Sequence, residues 1–316
     1  MKKRRILVCG ASGFIGRNIF EALSKREELE VIGTYHTRKL PPEIESVVHA
    51  DLTNKEDVWN MTQDVDVVIQ AAATTSGAKE ICSKPYYHVT DNAVMNSLLL
   101  RAAHENNVSQ VLFFSCSIVY PSSDVPIHET ALDLNGVIYE KYFGAAWTKL
   151  YIEKMCQFYS QLGRTKYTVI RHSNVYGPYD KFDLERSHVF GATVAKVMQA
   201  KQNGKIIVWG RGVEKRDLLY IADLVRFVEK AIVQQKNPFD IFNVGCGKLI
   251  SILDLAEKII KSSGKDLQVE LDSNKPTLNT NVVLDISKAR EHLNWHPLVG
   301  LEDGIQKTIE WYQSSL

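Results

Sequence analysis

A glycine-rich turn near the N-terminus constrains this chain more than any other feature. The turn, Gly10-Ala-Ser-Gly13-Phe-Ile-Gly16, directly follows an apolar run at residues 6–9 and precedes apolar residues at helical spacing. Glycines at these positions permit a tight turn and a close approach of backbone to a pyrophosphate, and the helix N-terminus supplies free N–H groups. The sequence therefore predicts a dinucleotide site formed by Gly10, Ser12, Gly13, Phe14, Ile15 and Gly16.

Short apolar runs alternate with longer amphipathic stretches over the first 170 residues. Continuously apolar strands, such as residues 111–114, are typical of a parallel sheet covered by helices on both faces. The alternation predicts an α/β fold with a Rossmann-type doubly wound parallel sheet. We expect the dinucleotide-binding domain at residues 1–170 plus about 215–248. A smaller, interleaved C-terminal substrate-binding region would take about 171–214 plus 249–316.

Composition excludes several classes of partner. In the 316 residues, 38 Lys and Arg face 37 Asp and Glu, a net charge of +1 that gives no general attraction to nucleic acid or anionic membrane. The five cysteines are scattered without a C-x-x-C pair, so neither a disulfide framework nor a zinc site is expected. No apolar window approaches the roughly 18 residues of a membrane span, and the N-terminal apolar run is too short for a signal peptide. We therefore expect a cytoplasmic protein with no metal.

The end of the second predicted strand bears on the choice of cofactor. Residues 31–35 are followed by His36-Thr-Arg38-Lys, with no acidic residue to bond an adenosine ribose. His36 and Arg38 could face a 2′-phosphate, or they could form a solvated basic turn in an NAD enzyme. We expect one NAD(H) or NADP(H) per chain. Asp51 and Leu52 are candidates for contact with the adenine, although Asp51 could equally be a surface loop acid.

Later motifs carry a family resemblance. They are Ala71-Ala-Ala73, Asn92, Arg171-His-Ser-Asn174-Val-Tyr-Gly-Pro178, Val208-Trp209-Gly and Arg216-Asp217. With the glycine turn, they make essentially the whole chain resemble the extended short-chain dehydrogenase/reductase family, in its NAD-dependent epimerase/dehydratase branch. Within that branch, Ser115-Cys-Ser-Ile-Val-Tyr-Pro121 and the segment leading to Ser187-His188-Val189 most resemble the GDP-L-fucose synthase group.

This resemblance implies a nucleotide sugar lying across the mouth of the sheet, with C4 of the sugar facing a nicotinamide. The implied further cofactor contacts are Ala71, Ala72, Ala73, Asn92, Ser115, Lys149 and His172. The implied substrate contacts are Thr75, Ser117, Asn174, His188, Val189, Trp209 and Arg216. The planar donor fork of Arg216 would suit the substrate diphosphate. A homodimer is also implied, through a four-helix bundle of the helices near residues 92–106 and 143–161.

The family's catalytic Tyr-x-x-x-Lys motif lacks its tyrosine here. In the family the phenol exchanges a proton with the sugar oxygen, and the lysine binds the nicotinamide ribose. Lys149 fits, but Ala145 stands four residues earlier. Tyr142 could approach only if the helix begins late and the preceding loop folds back. Cys116 occupies the usual catalytic Ser/Thr position, and Ile118 occupies the position of the cysteine that serves fucose synthases in epimerisation.

We therefore predict Lys149, His188, Ser117 and Cys116 as catalytic candidates. His188 ranks first because histidine titrates near neutral pH, whereas Cys116 could simply be a small buried apolar residue. The predicted function is an NAD(P)-dependent C4 dehydrogenase or 4-ketoreductase of a GDP-hexose or GDP-heptose, in surface polysaccharide synthesis. The alternatives are an epimerase that returns the hydride to its own substrate, and a catalytically weakened binding relative. UDP- and dTDP-sugars remain alternative substrates.

Overall fold

A computed structural model describes residues 3–41, 43–75, 83–184, 187–275 and 277–315. The described strands are β1 (Arg4–Cys9), β2 (Leu29–Tyr35), β3 (Val47–His49), β4 (Val67–Gln70), β5 (Gln110–Cys116), β6 (Ser123–Ile127), β7 (Lys166–His172), β8 (Asn174–Tyr176), β9 (Lys205–Trp209), β10 (Lys215–Tyr220), β11 (Phe239–Val244), β12 (Leu249–Ser251), β13 (Gln268–Asp272) and β14 (Val282–Leu284). The described helices are α1 (Phe14–Ser24), α2 (Lys55–Met61), α3 (Thr90–Glu105), α4 (Phe143–Ser160), α5 (Val189–Gln199), α6 (Ile221–Gln234), α7 (Ile252–Ser263), α8 (Ser287–Leu293) and α9 (Leu301–Ser314).

Seven strands form a central, entirely parallel sheet. Their order is β11-β7-β5-β4-β1-β2-β3, and every neighbouring pair runs in the same direction. The order reverses between β1 and β4, and in doubly wound sheets such a reversal opens a crevice at the carboxyl ends of the strands. The predicted Rossmann-type sheet is confirmed.

Continuous apolar strands arise here because helices cover both faces of the sheet. Along β1, Ile6 and Val8 belong to one core cluster and Leu7 and Cys9 to the other, and all four are fully buried. Helices α1 and α6 pack on the first side, whereas α2, α3 and α4 pack on the second. The glycine turn and the N-terminus of α1 are thereby fixed at the carboxyl end of β1.

The second half of the chain builds smaller sheets beyond that edge. Strand β10 pairs with β8 and β12, while β9 pairs with β13 and β6 with β14. Helices α5 and α9 both pack on α7 beside these sheets. Strand β11 returns to the central sheet, whereas β10 does not, and the domain division near residue 215 remains a prediction.

The sequence predicted neither a membrane-spanning helix nor a metal site. None of the described helices is long and apolar enough to cross a membrane. Within the described ranges, no cluster of His, Cys, Asp and Glu side chains could hold a metal ion. The four cysteines in those ranges are free thiols, and Cys82 lies outside the described residues.

Candidate cofactor and substrate site

One large cavity, of about 940 Å³, lies at the carboxyl ends of the central strands. Its wall is formed by the glycine turn, the ends of β2, β4, β5 and β7, the start of α4, and the segment that leads into α5. Every residue predicted to contact cofactor or substrate lines this cavity except Gly16 and Ser115. The structure thus brings into one space predicted residues as far apart in the chain as Gly10 and Arg216.

The glycine turn has the shape of a phosphate cradle. Gly10 has a φ of +75°, and a Cβ there would lie 2.7 Å from the Cα of Ala72. Gly16 has no room for a Cβ against the Gly10 carbonyl, so it acts through packing rather than by lining the cavity. Helix α1 has no side-chain cap at Gly13 and no acidic residue in its first turn. Its free N–H groups can therefore receive an anion, and these residues fit the pyrophosphate of a dinucleotide.

The outer end of the cavity carries the residues predicted near the adenosine. The Arg38 guanidinium donates to the Ser12 carbonyl, which ties the end of β2 to the glycine turn. Asp51 accepts hydrogen bonds from both the hydroxyl and the N–H of Thr53, and these bonds lower the pKa of its carboxyl. His36 also lines this end of the cavity.

Lys149 occupies the inner end of the cavity. Its Nζ donates to the Phe114 carbonyl at 2.6 Å, and burial lowers the pKa of this amine. Burial raises the pKa of the nearby Cys116 thiol, which therefore stays protonated at neutral pH even though the charge on Lys149 opposes the shift. Ile118 lines the same wall with an apolar side chain that cannot exchange a proton.

A buried ion pair supports this wall from beneath. Glu153, one helical turn after Lys149, accepts from Arg171 at 2.6 Å and from the Ser115 hydroxyl at 2.5 Å. Ser115 is fully buried and does not line the cavity. The structure therefore places the Ser115 side chain beneath the cavity wall, and its cofactor contact stays a prediction. Arg171 also donates to the Tyr120 hydroxyl at 2.8 Å, which extends the buried network.

Ala145 stands where the family has its catalytic tyrosine, and another tyrosine, Tyr142, precedes it by three residues. Helix α4 begins at Phe143, and Tyr142 stands at its N-cap after a 3₁₀ turn at Glu140–Tyr142. The Tyr142 N–H donates to the Tyr139 carbonyl at 2.8 Å, so the chain folds back before the helix begins. Tyr142, Ala145 and Lys149 all line the cavity. Because the helix begins at Phe143, where the sequence predicted it, an approach of Tyr142 to the substrate stays a prediction.

Of the three predicted site histidines, all of which line the cavity, His172 is half-buried, whereas His36 and His188 are exposed. Loss of hydration among the surrounding cavity residues lowers the pKa of His188 to about 4, and the positive charges of Lys181, His88 and Arg216 act in the same direction. Burial likewise lowers the pKa of His172 to about 4. This lowering favours the neutral imidazole of His188 at neutral pH, and its role in proton exchange stays a prediction.

The opposite end of the cavity is cationic. Arg216, Lys196 and Trp209 line it, with the Lys196 amine 5.4 Å and the Lys275 amine 6.0 Å from the centre of the Trp209 ring. Sequence reasoning missed Lys196 and Lys275. Lys196 lies in α5, eight residues after His188 at the N-cap of that helix, and this spacing could have indicated that Lys196 lies near the site.

Asp180 is a second residue that sequence reasoning missed. One carboxyl oxygen accepts from the Lys181 N–H at 2.7 Å, and the other is buried without a hydrogen-bond partner in the described part of the chain. Burial raises the pKa of Asp180 to about 7. Lys181 also donates through Nζ to the Thr75 carbonyl at 3.1 Å, which joins the two sides of the cavity mouth.

Comparison with known proteins agrees with this geometry. Residues 6–245 match the model of the NAD dependent epimerase/dehydratase family. The chain is 28% identical to GDP-L-fucose synthase from Azorhizobium caulinodans, over 98% of this chain and 97% of that protein. It is 29% identical to GDP-L-colitose synthase from Yersinia pseudotuberculosis, again over 98% and 97%.

Among solved structures, the chain resembles UDP-glucuronic acid 4-epimerase from Bacillus cereus, which was solved with UDP-glucuronic acid and NAD. The TM-score is 0.83 at 27% identity, over 99% of this chain and 100% of that one. The family match covers well over half of the chain, and the matched region contains the glycine turn, Lys149 and Arg216. The chain belongs to the NAD dependent epimerase/dehydratase family.

Proposed function

We propose that this protein is an NAD(P)-dependent oxidoreductase that acts at C4 of a nucleotide sugar, as a C4 dehydrogenase or a 4-ketoreductase. One observation carries the proposal: a single cavity joins the phosphate cradle and Lys149 to the cationic end at Arg216, Lys196 and Trp209. A dinucleotide and a second diphosphate-bearing ligand can therefore meet in one space.

The cofactor would lie between the glycine turn and Lys149. The turn would hold its pyrophosphate, Asp51 would approach the adenine, and the Lys149 amine would bond the nicotinamide ribose. The nicotinamide, when bound, supplies or accepts the hydride. The basic end of β2, with His36 and Arg38 and no acidic residue, favours NADP(H) over NAD(H).

The substrate would be a GDP-hexose or GDP-heptose used for a surface polysaccharide. The names of the GDP-L-fucose and GDP-L-colitose synthases support a GDP-linked sugar. Arg216 and Lys196 would bind its diphosphate, Trp209 would contact its nucleoside, and Ser117, Asn174 and His188 would face the sugar. UDP- and dTDP-linked sugars are the alternative, and the UDP-glucuronic acid 4-epimerase supports the first of these.

The proton that accompanies hydride transfer must come from a group other than Ala145. Residues three apart at the start of a helix have Cβ atoms about 5–6 Å apart, so the Tyr142 side chain starts close to the position of the missing phenol. A phenol can donate its proton to O4 during reduction, whereas the neutral imidazole of His188 can only accept one during oxidation. We infer that Tyr142 and His188 are the two leading carriers, ahead of Ser117 and Cys116. Epimerisation at C3 or C5 is not expected, because Ile118 cannot exchange a proton.

One observation favours a second function. The similarity to a 4-epimerase that holds NAD is compatible with a reaction in which the hydride returns to the same sugar. A third possibility, binding without turnover, follows from the loss of the tyrosine.

Incubation with GDP-, UDP- and dTDP-sugars separates these functions. A net change in nicotinamide absorbance supports the oxidoreductase, sugar conversion without net change supports the epimerase, and binding alone supports the weakened relative. Lys149→Met serves as the control, because loss of the ribose contact should slow either reaction. If no sugar nucleotide alters the nicotinamide absorbance or is itself converted, the proposed function is wrong.

The dimer implied by the resemblance is also a proposal. Phe143, Trp147 and Tyr151 are 61%, 37% and 48% exposed. Their spacing of four residues places these rings on one face of α4, and the partly exposed Val94 lies on neighbouring α3. A second copy of this chain would cover that apolar face through a four-helix bundle.

A further inference from the structure

Three of the hydrogen bonds made by Arg216 run to backbone carbonyls. Its Nη1 donates to the carbonyls of Lys215 and Thr280, both at 2.7 Å, and its Nη2 donates to the carbonyl of Leu278 at 3.0 Å. A guanidinium carries five N–H groups. Among the described residues, no partner is found for the N–H at Nε and for one N–H at Nη2.

These two remaining N–H groups lie on one edge of the guanidinium. Both Nη1 hydrogens are occupied, and the adjacent carbonyls of Leu278 and Thr280 take the end of the group. The side formed by Nε and Nη2 is therefore the edge left for a ligand. Two parallel N–H groups on one edge match two oxygens of a phosphate, and Arg216 lines the cavity.

The chain that supplies two of these carbonyls is itself anchored. We call residues 277–281 the strap. Its last residue, Asn281, accepts the Lys215 N–H at 2.8 Å through Oδ1 and donates from Nδ2 to Asp124 at 3.1 Å. The Asn281 N–H donates to the Ser122 hydroxyl at 2.9 Å. Asn281 therefore links the strap to the residue that immediately precedes Arg216.

We propose that the strap orients Arg216 so that its Nε and Nη2 edge faces the diphosphate of a nucleotide sugar, with Asn281 as the positioning residue. This inference rests on the proposed function. Asn281 does not line the cavity, so its effect on a ligand would pass through Arg216. Without Asn281, the Leu278 and Thr280 carbonyls would no longer hold the Arg216 guanidinium in place. The guanidinium would then have to be ordered when the ligand binds, which would weaken affinity.

A double-mutant cycle on nucleoside diphosphate binding tests this coupling. Asn281→Ala should weaken GDP or UDP binding, measured by calorimetry, by about tenfold. The same substitution made in Arg216→Met should cause no further loss, because the group that it positions is absent. With the sugar nucleotide, Asn281→Ala should raise KM by the same factor and leave kcat unchanged. Asn135→Ala, at an exposed asparagine outside the cavity, should bind GDP like the wild type.

Each failure points to a different error. If Arg216→Met weakens GDP binding and Asn281→Ala does not, the positioning role is wrong and the proposed function stands. The role is also wrong if the two losses add in the double variant, because Asn281 would then act without Arg216. If the wild type binds no nucleoside diphosphate, the proposed function fails together with this inference. Thermal unfolding of each variant confirms that it is folded, and cofactor affinity should be unchanged throughout.

Discussion

Gly10→Ala tests the phosphate cradle most directly, because two separate effects of a methyl group can be estimated there. Gly10 has a φ of +75°, where an L-residue costs roughly 1–2 kcal/mol of stability. The added Cβ would also lie 2.7 Å from the Ala72 Cα, so the two segments must separate by roughly 0.7 Å to reach an ordinary 3.4 Å contact. Both segments line the cavity.

The separation moves backbone N–H groups away from the bound pyrophosphate. A hydrogen bond to a charged group contributes about 1.5–3 kcal/mol, so the loss of one bond weakens dinucleotide binding by about 10- to 150-fold. Calorimetric titration with NADP and NAD measures this loss, and thermal unfolding measures the cost in stability. Gly264→Ala is the matched control, because Gly264 has a φ of +69° but no atom within 4 Å of a built Cβ.

The two variants should therefore differ in one property only. Gly264→Ala should lower the free energy of unfolding and leave cofactor affinity unchanged, whereas Gly10→Ala should reduce both. Gly13→Ala should fall between them in affinity, because its Cβ would lie 3.2 Å from the Gly10 carbonyl. If Gly10→Ala binds NAD and NADP as tightly as the wild type, the turn is not the pyrophosphate site.

Three further outcomes follow from the site and its surroundings. Trp147→Glu should convert a dimer to a monomer by light scattering at micromolar concentration; a wild-type protein that is already monomeric contradicts the bundle. Tyr142→Phe should slow single-turnover reduction by about 10²–10⁴-fold, and Ala145→Tyr in that background should restore the rate, with Tyr139→Phe as the control. Because loss of hydration lowers the pKa of His188 to about 4, its imidazole is protonated only as the pH falls through that value. Any rate loss in His188→Asn should therefore be the same from about pH 6 to 8, and a loss confined to one part of that range rules out a neutral acceptor.

The sequence sufficed for features that depend on local pattern. The apolar run before Gly10, the glycine spacing and the helical periodicity after it predicted β1, the turn and α1, because neighbouring residues decide all three. The sequence predicted the start of α4 near Phe143, but an approach of Tyr142 could only be stated as a condition, since it depends on how the preceding loop packs. The direction of the His188 pKa shift was not predictable, because it comes from desolvation and from charges on distant segments, Arg216 among them.

Residues that act through distant contacts were also missed. Asp180 carries no distinctive local pattern, and only its burial beneath α5 makes it unusual. The direction of the Arg216 fork depends on carbonyls more than 60 positions away in the chain. Such contacts form when the smaller sheets assemble, so no local spacing reports them.

The Arg171–Glu153 pair beneath Lys149 has a consequence for engineering. Each side chain is only 3% exposed, and removing either partner of a buried pair costs about 3–5 kcal/mol. This floor of the cavity therefore tolerates little redesign. The opposite wall, around Trp209 and the strap, consists of short strands and loops that carry no such pair among the described residues. Libraries of variants aimed at new sugars should therefore change residues around Trp209 and the strap and leave Arg171 and Glu153 unchanged. Substrate specificity can then be altered without destabilising the fold.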